Sequence, residues 1–127
     1  MMMIVGHEWV KSPKFCKIFS KEDIKKSKPE DIMLLEPLGD SQKLATYCQE
    51  NNIVFAVTVN SLREAIFANA LGANYMICEE DDALIIHPIA QEYLFDTQVL
   101  VLIYDEKEIT KIARSGIDGV IFPAAIC

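Results

Sequence analysis

Residues 53–59 read IVFAVTV and residues 98–104 read QVLVLIY. Neither run alternates apolar with polar residues, as a strand with one wet face does. Both are β-branched and apolar almost throughout, so a strand made from either needs cover on both faces. A parallel sheet with helices packed on it meets that need. DIMLLEPL (31–38), NYMIC (74–78) and DGVIFPA (118–124) have the same character, and KFCKIF (14–19) is a shorter case. The opening MMMIV reads as a further edge strand.

The intervening segments have helical period and helical punctuation. SLREAIFANAL opens on a capping-box pattern, Ser61 followed by Glu64, and stops at Gly72, where a left-handed residue is wanted. EKEITKIARS runs to Gly116, SQKLATYCQENN puts Leu44, Tyr47 and Cys48 on one side, and Ser20 with Asp23 can cap KEDIKKSK. IAQEYLF (89–95) is expected to be the remaining helix, with Pro88 in its first turn. The strand–turn–helix–Gly–strand layout of residues 53–79 recurs in 98–123, about 45 residues on, and residues 15–37 give a shorter version. The chain thus reads as a single α/β domain over 1–127, a mostly parallel sheet of about six strands built from repeated βαβ units with right-handed crossovers. A complete eight-stranded barrel needs ~200 residues or more, which leaves a three-layer sandwich or a partial barrel. The last strand, in IDGVIFPAAIC, has no following helix to cover it. Cover by a second copy, and hence a homo-oligomer, is the expectation.

Charge narrows the function classes. Twelve Lys and Arg against nineteen Asp and Glu leave a net charge of −7. A chain so acidic lacks the basic stripe that a nucleic-acid backbone or an anionic membrane surface requires. No apolar run reaches the ~18 residues of a membrane span, and the first residues lack the basic start and small-residue cleavage site of a leader. A cytoplasmic protein is expected. The four cysteines, Cys16, Cys48, Cys78 and Cys127, form no CxxC pair or zinc pattern. They read as small buried hydrophobes, with no disulfide expected in a reducing compartment.

The segment VTVNSLREAIFANALGANYMICE (57–79) resembles the late βα units of phosphate-binding TIM-barrel enzymes, and is most similar to the matching run of glycerophosphodiester phosphodiesterases. IDGVIFPAAI resembles phosphate-binding strand ends of aldolase-type barrels. The His-Arg-Gly strand and Glu-Asn-Thr segment that carry the phosphodiesterase chemistry do not occur, and Gly6-His7-Glu8 does not replace them. The resemblance therefore implies a fold type and a functional sheet edge, and no activity.

Walker, GxGxxG, GxSxG and HExxH motifs are absent. In parallel sheets ligands bind outside the carboxyl ends of the strands. Those ends carry Ser20, Glu36, Asn60 with Ser61, Glu79 and Asp105, the candidate ligand-binding set. Glu36, within LLEPL, is the foremost candidate for acid–base work, because burial disfavours a charged carboxylate. His87, in IIHPIA, is the second catalytic candidate, since imidazole titrates near neutrality. The acids Glu79, Glu80, Asp81 and Asp82 suggest a helix cap at Asp81 or Asp82. Alternatively Glu79 shares a hard cation with Glu36 or Asp105; no metal-binding motif is present, and no cofactor is assigned. The resulting expectation is a protein that binds a small molecule at the C-terminal sheet edge. A small phosphosugar or phosphodiester enzyme and a non-catalytic assembly subunit are the alternatives.

Overall fold

The computed structural model describes residues 2–127. Seven strands form one all-parallel sheet, each expected run supplying one: β1 (Met3–Val5), β2 (Phe15–Lys17), β3 (Ile32–Leu35), β4 (Phe55–Thr58), β5 (Tyr75–Cys78), β6 (Gln98–Leu102) and β7 (Gly119–Ile121). The spatial order is β1-β7-β6-β5-β4-β3-β2. Among the described residues, five α-helices lie between the strands: α1 (Lys21–Lys26), α2 (Gln42–Glu50), α3 (Leu62–Ala70), α4 (Glu80–Glu92) and α5 (Glu108–Arg114).

The sheet curls into a partial barrel. Val5, Phe15, Leu34, Ala56, Ile77, Leu100 and Ile121, one from each strand, meet in a single inner cluster. The alternate positions, among them Leu35, Val57, Met76, Val101 and Val120, form the second cluster, beneath the helices. Both faces are thus dry, which is what the unbroken apolar runs require. The close pairing of β1 with β7 depends on Gly119: a Cβ there would stand 2.5 Å from the Met3 carbonyl oxygen. Gly72 and Gly116 hold positive φ at the ends of α3 and α5, as their positions in the sequence predict.

Three expectations are corrected. β7 is not an uncovered edge: it lies between β6 and β1 and is fully buried. The edges are β1 and β2, and residues 126–127 stitch the second of them. Phe15 bridges Ile126, the Lys17 N–H donates to the Cys127 carbonyl at 2.9 Å, and the Cys127 N–H donates to the Phe15 carbonyl at 2.9 Å. The last strand therefore offers a second copy no open edge to pair with. Next, Cys16 and Cys127 form a disulfide across the same seam, their Cα atoms 4.5 Å apart. Only Cys48 and Cys78 are free and buried. Burial pushes the Cys78 thiol up to about 12, with help from Asp82 and Glu79. The expectation of four free, buried thiols thus holds for two of them. No helix among the described residues is long and apolar enough to cross a membrane.

The third correction concerns α4, which begins at Glu80 and not after Pro88. Pro88 lies inside it, on the solvent side, where water can satisfy the Leu84 carbonyl that proline leaves without a donor.

Candidate functional site

Parallel strands bring all their carboxyl ends to one rim, and the inner cluster fills the barrel beneath it. At that rim the ends of β2, β3 and β4 enclose an open cleft of about 390 Å³, lined by Phe19, Glu36, Pro37, Leu38, Thr58, Asn60 and Glu64. Glu36 follows the last residue of β3. Its Oε1 lies 2.9 Å from Lys17 Nζ, one strand away, and the Thr58 hydroxyl donates to its Oε2 at 2.7 Å from the other side. The side chain is 29% exposed.

These contacts reverse the expected electrostatics of Glu36. Burial alone would raise its pKa, but the hydrogen bonds from Lys17 and Thr58 and the Lys17 charge outweigh it, and the pKa lies below the ordinary 4.5. Glu36 is an anchored anion and no proton donor at neutral pH. A depressed folded-state pKa contributes stability above the unfolded value and loses it as pH falls through the folded one. Urea midpoints measured through the acid range should therefore differ most between wild type and Glu36→Gln near neutrality and converge below pH 4.5. Parallel curves would contradict the pairing.

The remaining sequence candidates divide. Asn60 joins Glu36 in the cleft, its N–H donating to Glu64 Oε1 at 2.7 Å. Ser20 and Ser61 serve as N-caps, accepting from Asp23 N–H at 3.3 Å and Glu64 N–H at 3.1 Å. Asp105 is exposed and accepts from Lys107 N–H at 2.9 Å. Glu79 stands at the N-cap position of α4 without a side-chain bond, so the expected cap at Asp81 or Asp82 is not formed. Glu80, Asp81 and Asp82 occupy the first turn, where the helix dipole favours acids, and Glu80 also pairs with Lys111 at 3.0 Å. Among the described residues, no three His, Cys, Asp or Glu side chains are grouped so as to hold a metal ion.

His87 cannot act with Glu36. It lies on the second half of α4, against Thr97 and Asp118, which precede β6 and β7 at the opposite end of the barrel. It is 5% exposed, and its Nε2, 3.9 Å from Asp118 Oδ1, has no hydrogen-bond partner among the described residues. Asp118 Oδ2 meanwhile accepts from Val99 N–H at 2.8 Å, tying β7 to β6.

Two features escaped the sequence reading. Lys17 and Thr58 are ordinary members of apolar strands until the register of β2, β3 and β4 sets them beside Glu36. At the far side of the rim, His7 and Trp9 share a cleft of about 400 Å³ with Glu106 and Ile109. His7 Nδ1 accepts from Trp9 N–H at 3.1 Å, which leaves Nε2 to donate to Glu106 at 2.7 Å. Both ring nitrogens are engaged, so this imidazole is a strut between loops. In comparisons with known proteins, no family model and no curated sequence matches this chain.

Proposed function

We propose that the protein binds a small polar molecule, neutral or cationic, in the cleft around Glu36 at the C-terminal edge of its sheet. The observation that carries this reading is an ionised carboxylate, held from two sides by Lys17 and Thr58, at an open cleft with an apolar wall of Phe19, Pro37 and Leu38. A few fixed polar groups within apolar walls are what a small-molecule site needs for orientation and affinity. The carboxylate accepts hydrogen bonds from hydroxyl or amino groups, and Asn60 beside it can donate or accept.

The phosphosugar and phosphodiester alternative draws less support from the same geometry. Glu36 and Glu64 both face the cleft, and the Lys17 charge is already paired. A phosphate entering there meets repulsion. The lowered pKa of Glu36 also suits binding better than proton transfer.

A thermal-shift screen with amines, polyols, sugar phosphates and divalent ions tests the proposal. An amine or polyol at a hundredfold excess over its dissociation constant should stabilise the protein by about 2.7 kcal/mol. Glu36→Gln should abolish that shift, and sugar phosphates should give none. A ligand shift that Glu36→Gln leaves intact would place the ligand elsewhere.

A further inference from the structure

Two neighbouring helices carry the same outward face at the same height. α3 is capped at Ser61 and α4 begins from Glu79, each just beyond one of two adjacent, paired strands, β4 and β5. Counted from those positions, the buried residues fall in step, Ala65 and Ala68 on α3 with Ala83 and Ile86 on α4. The exposed residues do the same. Ile66 and Phe67 are 47% and 51% exposed, and Leu84 and Ile85 are 48% and 60% exposed. One turn on, Ala70 and Pro88 are exposed as well. The outward faces of the other helices are polar, with Lys21 and Lys25 on α1, Lys43 and Gln49 on α2, and Lys111 and Arg114 on α5. Single exposed apolar residues are ordinary, but a contiguous block spread over two helices marks a surface that meets another apolar surface.

We propose that this face joins two copies of the chain in a two-fold pair, with the helices of one copy antiparallel to those of the other. Charge argues for both the occupant and the direction. Each copy carries −7, so two copies attract only where acids are absent, and the block holds none. Acids crowd the first turn of α4 as Glu80, Asp81 and Asp82. A parallel pair would stack the two sets at one end. An antiparallel pair separates them by about the length of the helix, ~20 Å for its 13 residues. Arg63 is the only Lys or Arg between residues 61 and 92, and it lies exposed 5.3 Å from the Phe67 ring. In the antiparallel arrangement Arg63 of one copy meets the exposed Glu92, at the end of α4, of the other. The apolar block supplies affinity and the charge pair fixes register.

Light scattering on the full chain tests this. Wild type should give twice the 14.3 kDa chain mass. Ile85→Asp should give a monomer with an unchanged circular dichroism spectrum, and Ile66→Asp, on the other helix, should act alike. Both sites are exposed, so neither change opens the core. Arg63→Glu should weaken the pair by about tenfold, and adding Glu92→Arg should restore it. A monomeric wild type, a dimer that ignores the aspartates, or an exchange of charges that fails to rescue would overturn the proposal.

Discussion

Phe15→Ala should destabilise the fold by about 3–5 kcal/mol, the usual result of emptying a fully buried aromatic position. Phe15 is 0% exposed and lies at the seam of the curled sheet, where it packs edge-on against Tyr75 from across the barrel at a centroid distance of 5.5 Å. Its backbone also holds the bridge to Ile126. The neighbours of an inner cluster drawn from all seven strands cannot collapse into the gap without shifting strand register. Small domains have about 5–15 kcal/mol of stability in all, so this single change takes a large share. Urea denaturation should show a much lower midpoint at an unchanged slope, with Phe15→Leu falling between. A loss under about 1 kcal/mol would mean that the inner cluster is loosely filled.

Opening the Cys16–Cys127 bond should cost a comparable amount. The bond spans a sequence separation of 111 residues, close to the whole chain. Closing a loop of that size removes enough freedom from the unfolded chain to be worth about 4.7 kcal/mol in the chain-entropy model. Reduction, or Cys16→Ser, should therefore shift the urea midpoint down strongly. Because Cys48 and Cys78 are the free cysteines, alkylation of the unreduced, denatured protein should label those two alone. Labelling at all four positions, or a midpoint indifferent to reduction, would contradict the bond.

The fold was legible because its strands are buried on both sides, and apolar runs of that kind survive any choice of register. The caps at Ser20 and Ser61 and the turns at Gly72 and Gly116 were legible because backbone rules act over a few residues. α4 was misread since Pro88 is ordinarily a starting residue and four acids resemble a loop. The better signal was the spacing of Ala83, Ile86, His87 and Ala90, which are the buried residues of one helical stripe. The disulfide was hidden because it depends on the sheet curling until β2 meets residues 126–127, a closure no local pattern encodes. For the same reason the sequence pointed to Glu36 but assigned it the wrong charge state. Its position is a local fact, while Lys17 and Thr58 reach it only through strand register.

The proposed binding surface is the rim between β2, β3 and β4. Amide chemical-shift mapping of the isotopically labelled protein, titrated with the amine or polyol that gives the largest thermal shift, locates the ligand residue by residue. Perturbations should gather at Phe19, Glu36, Leu38, Thr58, Asn60 and Glu64, the residues around the cleft that retain an amide proton. In Glu36→Gln the same titration should leave them still. Perturbations centred instead on His87, Thr97 and Asp118 would place the ligand at the opposite end of the barrel and overturn the proposed site.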